Sequence, residues 1–407
     1  MSSKGTVTAS TPYGKQPWYT IYLAYQLTTT ILLRLPLWVL YYAVPSNRPK
    51  PTWSLKRAIM LRIVKLLICM GYMVGPLGHT PSYLAIEDGP NVRAVWIAPT
   101  PQLVIGKLKE WAVAAGVESV RIPGYWHHKA GDDRAPGTSA RPGEKVLLAL
   151  HGGAYIQHSA HPADHIANIT TGILGATPSL SRALSVEYRL TQLPPLMPTN
   201  PFPAALLDAI AGYNYLVDEL GFDPADIVVH GDSAGANLAL ALVRYLVEYR
   251  ASPGANLPAP PGALLLCSPW ADLSIFGHDV EGSMRTNIPS DYVNVTTGHI
   301  EHIVTTYTGA LGPFAAGTNR YISPASSSPL VNDVPFTHFP RTFILNGGSE
   351  ALRDQVQVLK KTMATEMGTN VMHLEMPDAI HDFLVFLWHE PERSEALTAI
   401  AAWLQSD

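Results

Sequence analysis

Gly231-Asp232-Ser233-Ala234-Gly235 is the tightest constraint on what this chain can become. The G-x-S-x-G pentapeptide follows an apolar run, Ile227 to Val229. It precedes a helix-like run in which Leu238, Leu242 and Leu246 recur on the way to Tyr249. Strand, sharp turn and helix in that order make a nucleophile elbow, a turn that lifts a serine clear of its neighbours. Such a turn forces the serine into a strained backbone region. It also brings strand and helix so close that side chains two residues either side would collide. Gly231 and Gly235 remove those side chains. A glycine-rich turn with an incidental serine would need none of this context.

The rest of the chain supplies a matching frame. Short apolar runs at Val92 to Ile97, Ser119 to Ile122, Lys145 to Leu150, Ala183 to Glu187, Ile227 to His230, Gly262 to Cys267, Arg341 to Leu345 and Asn370 to Met376 read as strands. Helical patterns lie between them at Phe202 to Leu220 and Ala351 to Met367, and Pro391 opens a last one. Strands alternating with helices predict an α/β fold, a mostly parallel sheet covered on both faces. The alternation stops between about 274 and 335, where a helical cap inserted over the site is expected, with short helices around Val293 to Leu311. A chain of 407 residues that is 47% apolar can bury so large a core. The net charge of −4 offers no basic face for nucleic acid. Two cysteines, Cys69 and Cys267, make no disulfide framework. Cys267 lies in an apolar run and reads as a buried small hydrophobe. The prolines gather in connecting segments, Leu193 to Pro203 and Pro253 to Pro261, which read as ordered loops.

Four regions follow. Residues 1–17 are polar and flexible in expectation. Residues 18–44 form a hydrophobic helix of about the length that crosses a bilayer. Its one formal charge is Arg34, and Trp18, Tyr19, Trp38, Tyr41 and Tyr42 stand near its ends as an aromatic belt would. The expectation is a membrane anchor, spanning or lying in the interface; an apolar helix covering the protein's own mouth is the other reading. The run is too long for a cleaved signal peptide, and no small-residue site clearly follows it. Residues 45–91 combine a proline- and cation-rich linker with an amphipathic stretch, Ser54 to Val74, able to rest on lipid or cap a site. Residues 92–407 are the catalytic domain.

Chemistry gathers at strand ends. His151-Gly152-Gly153-Ala154-Tyr155 follows the strand Lys145 to Leu150. Ester hydrolysis passes through a tetrahedral oxyanion that needs preorganised N–H donors. Paired glycines bring backbone close to it, so Gly152 and Gly153 are expected donors, joined by Ala234 just after the nucleophile. A base is expected on a late loop, and His381 stands between the last strand and the last helix. His389 belongs to the approach to that helix and reads as structural. The acid is expected after the preceding strand, where both Glu350 and Asp354 stand. The order serine, acid, histidine is that of the α/β-hydrolase fold, unlike the chymotrypsin or subtilisin types. His158, His161 and His165 lack a cysteine or acidic cluster to complete a metal site and read as loop histidines near the site mouth; Asp164 alone is thin. Neither a metal nor an organic cofactor is expected. Asn168 and Asn294 start N-x-T sequons, near chance for a chain this long.

With these residues in view, the chain resembles the hormone-sensitive-lipase-like branch of the α/β-hydrolases, which includes arylacetamide deacetylases, bacterial carboxylesterases and fungal steryl acetyl hydrolases. The resemblance is carried by His151–Tyr155, Tyr188-Arg189-Leu190, Pro201–Ala205, Gly231–Gly235, Ser268–Leu273, Ser323-Pro324, Glu350–Asp354 and His381. It runs from about Lys145 to the C-terminus. Three departures stand out. Ala154 occupies the family's third oxyanion glycine, the segment before Pro201 is longer and richer in proline, and Glu350 stands where the family usually has aspartate. The resemblance implies Ser233 as nucleophile, His381 as base, Glu350 as acid and a short acyl group on a hydrophobic alcohol such as a sterol or secondary metabolite. A membrane lipase on longer acyl glycerides is the alternative; a non-catalytic small-molecule binder of the same fold is a third reading. The apolar N-terminus is similar to that of membrane-anchored members. That likeness implies a membrane-associated enzyme, with the endoplasmic reticulum as compartment and lumen-facing relatives. The cations Arg48, Lys50, Lys56 and Arg57 after the apolar run instead favour a cytosolic catalytic part. Oligomeric state is not legible.

Overall fold

The structure is a computed structural model. It describes residues 12–75, 77, 82–87, 89, 92–193, 197–254, 256–274, 282–293, 299–328, 330–331 and 336–406. The expected flexible start (residues 1–11), parts of the linker before 92, the middle of the Leu193 to Pro203 loop, the Asn294 sequon and pieces of the expected cap (275–281, 294–298, 329 and 332–335) lie outside them.

The apolar N-terminus forms α1 (Trp18–Thr29), a π turn (Thr30–Arg34) and α2 (Leu35–Ala43). Together they make one continuous helix, long and apolar enough to cross a membrane and almost entirely unburied. Arg34 does not hang free in it: its guanidinium donates to Gln26 Oε1 at 2.5 Å and Thr30 Oγ1 at 3.2 Å. The amphipathic stretch forms α3 (Leu55–Val74), capped by Ser54, whose Oγ accepts the Arg57 N–H. Its buried stripe, Arg57, Ala58 and Leu61, turns toward the catalytic domain.

The remaining elements in chain order are β1 (Ala94–Ile97), α4 (Gly106–Ala115), β2 (Ile122–His128), β3 (Lys145–Leu150), α5 (Ala167–Ala176), β4 (Leu180–Val186), α6 (Ala204–Asn214), β5 (Ile227–Asp232), α7 (Ala234–Tyr249), β6 (Ala263–Cys267), α8 (Ser283–Thr286), α9 (His299–Thr308), α10 (Ala315–Thr318), β7 (Arg341–Gly347), α11 (Arg353–Met367), β8 (Val371–Met376) and α12 (Glu392–Gln405). Eight strands form one sheet in the order β1-β2-β4-β3-β5-β6-β7-β8. β2 runs antiparallel to both neighbours, and every pairing from β4 to β8 is parallel.

Side-chain alternation builds a core on each face. Val146, Leu148 and Leu150 of β3 join α6, α7 and α11 on one side; Leu147 joins α5 and α12 on the other. Trp53 and Leu61 extend the second core into the N-terminal region. Continuous apolar strands such as Leu264-Leu265-Leu266 are what two covered faces require.

One strand is misplaced by the sequence reading. β2 is Ile122–His128, not Ser119 to Ile122. Pro123 and Gly124 look like breakers, but each has a local reason to be there. The Pro123 carbonyl accepts the Glu187 N–H at 3.0 Å, so the missing proline donor is not needed at that contact. A Cβ on Gly124 would sit 2.8 Å from Ile97 Cδ1 and 3.0 Å from Leu184 Cδ1. A side chain here would have to push the ends of Ile97 and Leu184 aside.

Candidate active site

Three strand ends converge. After β5, Ser233 adopts φ 50° and ψ −117°, the strained turn that the pentapeptide predicts. A Cβ on Gly231 would lie 2.2 Å from Gly235 O, and one on Gly235 would lie 2.0 Å from Leu150 O. Both glycines are therefore obligatory. The Ser233 N–H donates to Cys267 O at 2.9 Å, tying the turn to the next strand.

After β8, His381 presents its Nε2 3.0 Å from Ser233 Oγ. After β7, Glu350 is fully buried with Oε2 3.8 Å from His381 Nδ1. That is longer than a hydrogen bond of roughly 2.7–3.2 Å, and apo triads are often loose before substrate binds. Glu350 Oε2 accepts from Ser268 Oγ at 2.7 Å and from the Gly347 N–H at 3.1 Å. Asp354 is not brought to the imidazole. Its side chain is half exposed on the first turn of α11, where it accepts the Ser283 N–H at 2.7 Å.

Two further acids touch the site. Asp382, in the left-handed region at φ 45°, places Oδ2 3.1 Å from His381 Nε2. Burial disfavours the imidazolium, but Asp382 first and Glu350 second outweigh it, so the His381 pKa is held well above its ordinary value. Burial likewise raises Glu350, against the opposing influence of His381. Asp291, from the cap segment, accepts the backbone N–H groups of His381, Ala351 and Tyr292. Neither Asp291 nor the contact of Asp382 with the base is marked by any local motif; only the packed loops reveal them.

The His151 loop corrects one expected oxyanion donor. The Gly152 N–H donates to Asp232 Oδ2 at 2.9 Å and does not stand free. A Cβ on Gly152 would lie 2.3 Å from that oxygen, so this glycine serves close packing against the elbow. The backbone instead turns outward at Gly153 (φ 113°) and Ala154 (φ 54°). The N–H groups of Gly153, Ala154 and Ala234 meet no acceptor among the described residues. Ala154 holds a left-handed conformation that favours glycine, consistent with its family position.

Aromatic rings wall the site. Tyr155 stacks on Tyr307 of α9 with centroids 4.1 Å apart, and Tyr292 lies edge-on to the His381 ring at 5.7 Å. The loop histidines divide. His158 and His165 each place Nδ1 within 3.4 Å of Asp164 Oδ1. His161 instead accepts the Ala163 N–H and packs against Tyr125. His389 is fully buried beside Glu392, away from the nucleophile.

A family model described as the alpha/beta hydrolase fold matches residues 147–385, more than half of the chain. The chain belongs to the α/β-hydrolases. Together with its acetyl-hydrolase and esterase relatives, this makes it a carboxylic-ester hydrolase. It is 30% identical to an acetyl-hydrolase of Streptomyces hygroscopicus over 261 residues, 64% of this chain and 74% of the relative. An esterase of Mycobacterium tuberculosis, LipU, is 28% identical over 67% of this chain and 82% of its own. A crystal structure of an esterase from the bacterial hormone-sensitive lipase family superposes with a TM-score of 0.57 at 22% identity, over 87% of this chain and 98% of that one. At that identity the likeness speaks to the fold alone.

Proposed function

We propose that this hydrolase removes short acyl groups, acetyl foremost, from a hydrophobic alcohol, using Ser233, His381 and Glu350. The observation that carries the reading is the Nε2 to Oγ approach of 3.0 Å on a strained elbow. His381 Nε2 takes the Ser233 proton as Oγ attacks the ester carbonyl. The oxyanion forms against the N–H groups of Gly153, Ala154 and Ala234. Glu350 steadies the imidazolium through Nδ1. His381 then protonates the leaving alcohol, and water repeats the sequence on the acyl-enzyme.

A short acyl group is supported by enclosure. Ser233 is 8% exposed and His381 3%, and Tyr292 lies edge-on to the His381 ring. Likeness to an acetyl-hydrolase supports the same reading. A sterol or other apolar secondary metabolite as the alcohol rests on the family resemblance. The helix Trp18–Ala43 supports attachment to a membrane, where such alcohols partition; the endoplasmic reticulum as compartment rests on resemblance alone. Rates on p-nitrophenyl acetate, butyrate and palmitate test the acyl group. The proposal expects acetate to lead, whereas a palmitate optimum would favour the lipase reading. Membrane fractionation of the full chain tests attachment, and its apparent mass tests whether the helix is retained or cleaved as a signal sequence.

A further inference from the structure

Glu350 and His381 stand on separate loops, after β7 and β8, and neither loop's own sequence fixes the gap between them. That gap is 3.8 Å and must shorten for the acid to serve the base. What spans both loops is a third segment. Asp291 lies in the cap stretch 282–293 and is 1% exposed. Its Oδ2 accepts the Ala351 N–H at 2.7 Å. Its Oδ1 accepts the His381 N–H at 3.1 Å and the Tyr292 N–H at 2.8 Å. Ala351 directly follows Glu350, so one carboxylate holds both loops at the acid and base themselves.

The same stretch reinforces the acid loop. Asn287 Nδ2 donates to Glu350 O at 2.9 Å, and Ser290 Oγ donates to Ser349 O at 3.0 Å. The stretch is itself pinned from behind, because Lys65 Nζ of α3 donates to Ile288 O at 2.6 Å and Pro289 O at 3.2 Å. Burying a carboxylate is costly unless donors replace its water, and three backbone N–H groups do so here. A tie between loops alone could use a single neutral carbonyl oxygen, whose two lone pairs can accept one N–H from each loop. Asp291 uses both oxygens, one on each loop, which fixes a separation.

We propose that Asp291 is a positioning residue for hydrolysis, setting the distance between Glu350 and His381. The proposal rests on the triad reading above. Tyr292, the next residue, lies edge-on to the His381 ring, so the same turn also limits ring tilt. Misplacing a catalytic group by about 1 Å costs on the order of 10²-fold in rate, which sets the scale expected here.

The test uses the full chain with Asp291→Asn and Asp291→Glu, each checked by circular dichroism. Asp291→Asn should lower kcat by about 10²-fold with KM little changed. In the phosphonate adduct of Ser233, where acid and base close on the charged imidazole, it should also weaken or remove the downfield proton resonance of His381 Nδ1–H, a signature that loss of general stability in a folded protein would not touch. Asp291→Glu keeps the charge at an altered reach and should fall between the two. A folded Asp291→Asn with wild-type kcat and an intact resonance overturns the proposal. If Asp291→Asn does not fold, Asp291→Glu decides: kcat and resonance both matching wild type overturn it equally. Ser233→Ala runs alongside. Hydrolysis surviving in Ser233→Ala would sink the triad reading, whatever Asp291 does.

Discussion

Ser233 and His381 approach within 3.0 Å but are held there by different means. The nucleophile side is local. Its turn is dictated by Gly231 and Gly235, two residues either side of the serine, and the one distant brace, the Gly152 N–H on Asp232 across 80 residues, comes from the adjoining strand β3 of the same sheet. The acid and base side is assembled from afar. The contact between Ala351 and Asp291 spans 60 residues and the one between His381 and Asp291 spans 90. Behind the His381 loop, Trp53 Nε1 donates to Asp378 O across 325 residues. Steric necessity fixes the first side, whereas the second depends on how separately folded pieces dock. The nucleophile should therefore tolerate damage to the periphery that the base does not.

The largest effect should come from the nucleophile, where geometry and chemistry are separable. Ser233→Ala should leave the elbow intact, since the glycines enforce it, and should cost on the order of 10⁶ in kcat, as in a well-studied serine protease. Circular dichroism and p-nitrophenyl acetate turnover measure both parts. Near-normal turnover would mean that the local side does not carry the reaction.

On the assembled side, Glu350→Gln should cost about 10⁴ in kcat, as removal of the acid does in a comparable triad. Asp354→Asn should leave kcat nearly unchanged, because that carboxylate faces Ser283 and the start of α11 instead of the imidazole. The reverse ranking would break the assignment. Glu350 carries one methylene more than the family's usual aspartate, and its 3.8 Å separation makes it the looser joint of the site.

The two sides also differ in how far sequence alone reveals them. The elbow, the succession of strands along the chain from β3 onward and the late histidine are legible, because each follows from spacing and local sterics. The strand β2 is not, since Pro123 and Gly124 mimic breakers until their neighbours are known. The role of Gly152 misleads for a similar reason: a glycine beside an oxyanion can be there for a donor or for a close contact. Asp291 and Asp382 leave no trace at all. A carboxylate that serves backbone N–H groups from another loop has no period and no motif.

Asp382 offers a sharper probe of the assembled side through pH. The base acts as neutral imidazole, so the rate follows its deprotonated fraction. The His381 pKa is held well above 6.5, so the rate should fall as pH drops through that raised value. The stabilisation of the folded state by this charge runs the opposite way with pH: it is present below the ordinary value and lost as pH rises through the raised one. Asp382→Asn removes the strongest of the influences that raise it, so the acid limb of kcat/KM should move to lower pH. Superimposable limbs in the variant and the wild type would show that Asp382 does not govern the base.

The smallest effect on chemistry should come from the N-terminus, and it divides at a definite residue. Removing residues 1–44 deletes a helix almost entirely unburied, so kcat should be unchanged while the protein moves from the membrane to the soluble fraction. Equal recovery of both forms in the soluble fraction would refute the anchor. Extending the deletion through Val74 should be different in kind. It removes Trp53, which is 1% exposed, and loss of such a side chain alone costs about 3–5 kcal/mol in a packed core. It also removes Arg57, whose two terminal nitrogens reach Glu392 at 2.7 and 2.5 Å and which helps hold the Asp378 carbonyl. Finally it removes Lys65, which pins the stretch carrying Asp291. The longer deletion should lower the melting temperature and kcat together. Labelling of Ser233 by a small phosphonate should slow in step with kcat, because that reaction also needs His381 to take the serine proton. A longer deletion as active and as stable as the shorter one would show that the base side stands without α3, and the contrast between the two sides would fall.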